Sequence, residues 1–178
     1  MKKIMFNEPY GLQKAVLDER KTMTRRMVLP KISVSAKLGE INGFDSAEDY
    51  ILRHSYFKED DVVAIAQRYD ETQKESINQD AFEKGRNNKM FIRAELMPHH
   101  IRITYVRVEP LQNISDEDCM REGIVRTQGG YGVVFDGNYN VFAKTPREAF
   151  ASLIDAIKGK GTWENNPLVY VYEFELID

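Results

Sequence analysis

The sequence predicts an α+β fold in which a small β-barrel carries peripheral helices and loop insertions. The chain has 178 residues, 42% of them hydrophobic, which is enough for one core and short for two. Strand-like segments at 62–66, 101–109 and 167–177 are not separated by regularly spaced helices. This pattern argues against a doubly wound sheet and favours a decorated barrel. We therefore interpret residues 1–178 as one domain with insertions at about 28–58, 70–90 and 125–143.

The composition excludes several classes of protein. The 25 Lys and Arg against 28 Asp and Glu leave a net charge of -3, so any nucleic-acid site must be a local patch. A single cysteine, Cys119, cannot form an intramolecular disulfide. The N-terminus lacks the apolar stretch of a signal peptide, and no apolar run approaches the ~18 residues of a membrane span. We expect a cytoplasmic protein.

The first half of the chain predicts short elements separated by polar stretches. Residues 3–7 predict a strand, and Pro9 opens a helix that Asn7 would cap and that ends near residues 18–20. The remaining predictions are a helix at 46–54, a buried strand at 62–66 and, after the second insertion, a strand at 90–96.

The second half has clearer start and stop signals. Residues 101–109 alternate as a strand does, and Ser115 followed by acidic residues predicts a short helix that Gly123 ends. A Gly-, Tyr- and Asn-rich stretch at 126–140 predicts a hairpin or loop. Thr145 and Glu148 predict a capped helix that ends at Gly159, and residues 167–177 form the closing strand.

Residues 19–25, Glu-Arg-Lys-Thr-Met-Thr-Arg, resemble the characteristic turn of the ASCH family, a branch of the PUA-like barrels. Later segments resemble the family in the same order: the strand start at 60–63, the central strand at 103–109, the acidic helix at 118–123, and the last helix and strand at 150–157 and 169–174. The chain is particularly similar to phage- and prophage-associated ASCH proteins. The resemblance implies a PUA-like barrel.

The resemblance also implies an activity, because family members characterised as enzymes hydrolyse N-acetylcytidine with a lysine, a threonine and a glutamate. Carried over by position, these residues are Lys21, Thr24 and Glu122. Lys21 would activate the Thr24 hydroxyl, Glu122 would protonate the departing amine and later activate water, and Arg25 or backbone N–H groups would hold the oxyanion. No metal or other cofactor is implied.

Other polar residues complete the predicted site. Arg20, Arg25, Arg26, Gln67, Arg93 and Arg102 are candidate substrate-binding residues. Gln67 stands where many relatives have a glutamate, and it cannot exchange a proton. Each candidate has a plainer interpretation: Lys21, Arg25 and Arg26 would complement the end of a helix, and Glu122 would lie on an acidic surface.

The predicted partner is RNA or a modified nucleoside bound in a polar cleft, with hydrolysis of an acylated base as the sharpest form of the hypothesis. An alternative is a non-catalytic RNA-binding module that holds phosphates with Lys21, Arg25, Arg26, Arg93 and Arg102. A further alternative is a phage-associated accessory protein with a protein partner. The spacing of the three histidines and Cys119 does not predict a metal site.

Overall fold

The computed structural model describes residues 1–68, 89–90, 92–135 and 138–178. The predicted insertion at 70–90 lies outside these ranges except for Lys89 and Met90. Within them, eight strands form two sheets. The strands are β1 (Lys2–Ile4), β2 (Met23–Met27), β3 (Val62–Ile65), β4 (His100–Pro110), β5 (Val125–Thr127), β6 (Gly130–Phe135), β7 (Asn138–Ala143) and β8 (Leu168–Leu176).

The larger sheet has the order β1-β3-β4-β8-β2, and the smaller one has the order β5-β6-β7. Strand β1 pairs parallel to β3, and the other pairs of the larger sheet are antiparallel. Strands β1 and β2 are the two edges, and no ladder joins them among the described residues. The α+β class is thus confirmed, whereas the sheet is not closed into a barrel there, and the closed barrel stays a prediction.

The helices of the described part are α1 (Leu12–Leu17), α2 (Pro30–Lys37), α3 (Ala47–Arg53), α4 (Asp116–Arg121), α5 (Pro146–Lys158) and α6 (Thr162–Asn165), with 3-10 turns at Ala94–Leu96 and Leu111–Asn113. The predicted caps of α4 and α5 are confirmed, because Ser115 and Thr145 each accept a backbone N–H with their hydroxyl. Ser46 caps α3 in the same way. None of the described helices is long and apolar enough to cross a membrane.

Three local predictions are wrong. Helix α1 begins after Gly11 instead of Asn7, because Gly11 adopts the left-handed conformation at φ 66° and separates the Pro9 turn from the helix. Residues 92–97 do not form a strand, because Ile92, Ala94 and Met97 pack with Ala64 in a small separate core around a 3-10 turn. The last three residues of the turn predicted at 19–25 instead belong to the edge strand β2.

Helix α5 forms one wall of the region where the candidate residues meet. Its buried face carries Ala149, Phe150 and Leu153, which belong to the main core together with Ile101 and Val171 of the larger sheet. The helix also packs on α4 and β7. Burial of a side chain of this size stabilises the fold by about 2 kcal/mol, so the wall is firmly held.

Candidate functional site

The predicted catalytic lysine and glutamate, 101 positions apart in sequence, meet where α1 and α4 end. Lys21 lies between α1 and β2, and Glu122 is the residue that follows α4. The Thr22 N–H donates to the Arg121 carbonyl at 3.0 Å and ties the two segments together. Gly123 has φ 104°, and a Cβ there would lie 3.2 Å from Leu12 and 3.6 Å from the Lys21 stem. Glycine is therefore required for this close approach.

The Lys21 ammonium is buried and fully hydrogen-bonded. Its side chain is 2% exposed, and Nζ donates to the Met23 carbonyl at 2.7 Å, the Glu122 carbonyl at 2.7 Å and Glu122 Oε2 at 2.6 Å. Burial lowers the pKa of Lys21, because water no longer solvates the charge, and Glu122 offsets part of this effect. A lysine with a lowered pKa is a better candidate for a general base than a solvated one.

Arg25 holds the other side of Glu122. Its Nη1 donates to Glu122 Oε1 at 3.2 Å and to the Met23 sulfur, while Nε and Nη2 donate to Glu109 and Nη2 also donates to Asp118 at 3.0 Å. Burial alone would lower the pKa of Arg25, but Glu122, Glu109 and Asp118 raise it. Its five N–H groups are all engaged. Arg25 therefore positions Glu122, and the expected role in holding an oxyanion is not supported.

The ion pairs continue across the sheet. Arg107 Nη2 donates to Asp118 at 2.7 Å and its Nη1 donates to Glu173 at 2.5 Å, while Arg121 Nη2 contacts the second oxygen of Glu173 at 2.8 Å. The network formed by Lys21, Arg25, Arg107, Arg121, Glu109, Asp118, Glu122 and Glu173 balances four cations with four anions. We call this set the charge network.

Thr24, the predicted nucleophile, lines the same cleft as Lys21 and Glu122. The cleft is about 60 Å³ and lies between the two sheet edges, bounded by the Met5–Asn7 segment, β2 and the second half of α5. Thr24 is 5% exposed. The side chain of Asn7 also lines this cleft, and its Oδ1 is buried without a hydrogen-bond partner among the described residues. We call this cavity the Lys21 cleft.

The structure separates the remaining predicted residues. Arg26 borders the Lys21 cleft, but Arg20 is exposed and pairs with Asp18 at 3.2 Å. Gln67 is buried after β3, where its N–H donates to the Met97 sulfur, and it does not line the Lys21 cleft.

The five cations of the RNA-binding alternative are also separated from one another in the structure. Arg93 is exposed beside the 3-10 turn at Ala94–Leu96, and Arg102 is exposed on β4, 3.6 Å from Glu175. Lys21 and Arg25 are buried in ion pairs. The five cations therefore do not form one basic surface, and no observation favours the RNA-binding alternative.

Sequence reasoning missed Asn7 and the α5 residues Ile154, Ile157 and Lys158 as cleft residues. Asn7 was predicted as a helix cap, and the amphipathic pattern of α5 indicates core packing without showing which cavity it borders. Burial raises the pKa of the Cys119 thiol to about 12, so this residue of α4 is not a nucleophile candidate. In the described part of the chain, no group of three His, Cys, Asp or Glu residues could hold a metal ion.

Comparison with known proteins adds little to this picture. No family model matches the chain, and no curated protein matches it. A crystal structure of protein EF3133 from Enterococcus faecalis V583, described as DUF984, is similar with a TM-score of 0.44 and 14% sequence identity. The similarity covers 94% of this chain and 67% of that one. It carries no argument about the site, and the ASCH resemblance stays a prediction.

Proposed function

We propose that the chain is an amidohydrolase that binds an N-acylated nucleoside and removes the acyl group in the Lys21 cleft of a PUA-like barrel. One observation carries the proposal: Lys21 and Glu122 are in contact at 2.6 Å and line one cleft with Thr24. These are the three residue types that the reaction needs as base, acid and nucleophile.

The Lys21–Glu122 contact can supply both proton-transfer groups. Moving one proton from Lys21 Nζ to Glu122 Oε2 gives a neutral amine and a carboxylic acid without changing the net charge. Burial disfavours the charged pair relative to the neutral one, which brings the two forms closer in free energy. Lys21 is then the base, and Glu122 is the acid.

The reaction balances with these groups and one water. The Thr24 oxygen attacks the acyl carbon while its proton moves to Lys21, and the C–N bond breaks as Glu122 protonates the departing nitrogen. Glu122 then takes a proton from water, whose oxygen attacks the acyl-threonine ester. The Thr24 oxygen leaves with the proton from Lys21. The products are the free amine and the carboxylic acid, and all three side chains return to their starting forms.

The test is incubation of the purified protein with N-acetylcytidine and chromatographic measurement of cytidine and acetate. Thr24→Val keeps the shape of the side chain and removes the hydroxyl, so kcat is expected to fall at least about 100-fold. The matched control is Thr22→Val, because the Thr22 hydroxyl accepts from Arg121 in the charge network instead of lining the cleft. We expect its kcat to stay within about threefold of the wild type.

Glu122→Gln is the second variant, because glutamine keeps a hydrogen-bonding side chain but cannot transfer the proton. Its kcat is expected to fall by about 100-fold or more. Absence of turnover by the wild-type protein, or full turnover by Thr24→Val, would refute the proposed mechanism. Binding of RNA that weakens steeply with salt, without hydrolysis, would favour the RNA-binding alternative.

A further inference from the structure

A second cavity, of about 350 Å³, adjoins the Lys21 cleft. Its walls include the rings of Tyr56, Phe57, Tyr170 and Tyr172, with α2 on one side. We call it the aromatic pocket. Ligand pockets for drug-sized molecules start at about 300 Å³. The aromatic pocket can therefore hold a nucleoside, whereas the Lys21 cleft, at about 60 Å³, has room for a group the size of an acetyl.

The hydroxyls of Tyr170 and Tyr172 in the aromatic pocket are already hydrogen-bonded within the protein. Tyr170 donates to the Ile51 carbonyl at 2.9 Å, and the Tyr172 oxygen lies 2.7 Å from Ser55 Oγ. Burial raises the pKa of Tyr170 to about 12, so it stays neutral. Because these polar ends are engaged, the two tyrosines contribute ring surface to the pocket. Such surface favours a planar aromatic ligand.

The rim of the aromatic pocket exposes an unusual amount of apolar surface. Met5, Met27, Leu29 and Tyr56 line the pocket and are 47%, 38%, 64% and 63% exposed. Clustered exposed apolar side chains next to a cavity are typical of a binding site.

Arg26 supplies a hydrogen-bond donor that the protein does not use. Its Nε is buried and has no partner in the described residues, and its Nη2 donates to the Met5 carbonyl at 2.5 Å. No carboxylate of the described residues lies within ion-pair distance of it. A buried donor without a partner costs about 1–3 kcal/mol, which a ligand acceptor would recover.

Arg26 and Met5 line both cavities, so the hydrogen bond between them forms the partition. Thr24 and Arg26 are two residues apart on β2 and therefore lie on the same face, with Cα atoms about 6–7 Å apart. The two side chains therefore start from neighbouring positions on one face of the strand.

We infer that the base of the substrate binds in the aromatic pocket, where Arg26 Nε donates to a ring carbonyl oxygen, while the acyl amide passes the Arg26–Met5 partition into the Lys21 cleft. The unpartnered Asn7 Oδ1 is placed to accept the amide N–H. The identities of the pyrimidine and of its acyl group rest on the proposed function, whereas the aromatic subsite with Arg26 Nε as its donor does not.

The experiment measures Kd by calorimetry for cytidine, which lacks the acyl group, and kcat and KM for N-acetylcytidine. The variants are Arg26→Gln and the control Arg20→Gln, which changes an exposed arginine outside the pocket. Arg26→Gln is expected to raise Kd and KM at least about tenfold, because it removes a charge-assisted hydrogen bond, with kcat within about threefold. Arg20→Gln should change neither constant more than about twofold.

A second variant, Ile32→Trp, adds a ring at the wall of the aromatic pocket and leaves Arg26 in place. This substitution is expected to raise Kd for cytidine and KM for N-acetylcytidine. Thermal unfolding checks that both variants are folded. Hydrolysis with unchanged Kd and KM in both variants would overturn the base subsite and keep the proposed function. Arg26-dependent binding of cytidine without hydrolysis would keep the subsite and overturn the function. Absence of cytidine binding to the wild type would overturn the subsite.

Discussion

Arg25 and Arg26 are consecutive residues of one edge strand, but they differ in their charged neighbours. Arg25 faces α4 and contacts Glu109, Asp118 and Glu122. Arg26 borders both the aromatic pocket and the Lys21 cleft, and in the described structure it contacts the Met5 carbonyl and the Phe6 ring, 5.9 Å away. Neighbours on a strand point to opposite faces, so adjacent residues of one type enter different environments. The comparison separates a structural cation from one that is available to a ligand.

The largest expected difference between the two arginines is in stability. Arg25→Met leaves three carboxylates without their shared cation, and breaking such a buried arrangement costs about 3–5 kcal/mol. Arg26→Met removes a cation that has no carboxylate partner among the described residues, and its cost is expected to be below about 1 kcal/mol. Urea unfolding of the two variants measures the difference directly. Equal losses of unfolding free energy in Arg25→Met and Arg26→Met would contradict the difference between the two arginines.

A second, smaller effect concerns the pH dependence of the free energy of unfolding that arises from the charge network. Burial would raise the pKa of Glu173, but Arg121 and Arg107 lower it below its ordinary value of 4.5. A carboxylate whose pKa is lowered on folding stabilises the protein above the unfolded pKa, and this contribution is lost as the pH falls through the folded pKa. Glu173→Gln should therefore cost about 1–2 kcal/mol at pH 7 and progressively less below about pH 4.

The measurement is denaturant unfolding of wild type and Glu173→Gln between pH 3 and pH 7. These two pH values lie about one to three units below and above the ordinary pKa of a glutamate. Glu175→Gln is the matched control, because Glu175 lies on the same strand, is 59% exposed and contacts Arg102 at 3.6 Å. Its cost should be below about 0.5 kcal/mol at every pH. A cost of Glu173→Gln that does not change with pH would rule out the ionic origin.

The smallest effect concerns the turn between α1 and β2, which precedes both arginines. Glu19 has φ 56°, in the left-handed region, where a side chain costs about 1–2 kcal/mol relative to glycine. Glycine also increases the entropy of the unfolded chain, so Glu19→Gly should stabilise the fold by only about 0.5–1 kcal/mol. Glu117→Gly in α4 should instead destabilise by about 1 kcal/mol, and urea unfolding of both tests the assignment. Loss of stability in Glu19→Gly would contradict the assignment of backbone strain to Glu19.

Much of the fold could be predicted because it depends on local chemistry. Ser46, Ser115 and Thr145 cap their helices through hydrogen bonds within four residues, and the start of the alternation predicted at 101–109 follows from burial of Ile101 and Ile103. The alternation of burial ends where the register shifts between Ile103 and Tyr105. Strand β2 was missed because its arginines look like a polar turn until Glu109 and Glu122, 84 and 97 positions away, are brought beside Arg25.

The residues of the Lys21 cleft could be predicted only in part. The family resemblance pointed to Lys21, Thr24 and Glu122, and all three line the Lys21 cleft. It could not separate Arg25 from Arg26, because that difference depends on which face of β2 meets the carboxylates of α4. Nor could it find Asn7 or the aromatic pocket, since the pocket combines residues from β1, β2, α2 and β8 with the 54–57 segment.

Labelling of the buried Cys119 thiol can report the opening of the charge network. It is the one cysteine of the sequence and lies on α4, between Asp118 and Glu122. Because its side chain is inaccessible and its pKa is raised to about 12, a thiol reagent can modify it only after α4 detaches from the core. The rate of labelling in the absence of denaturant therefore reports how often the ion pairs around Arg25 open.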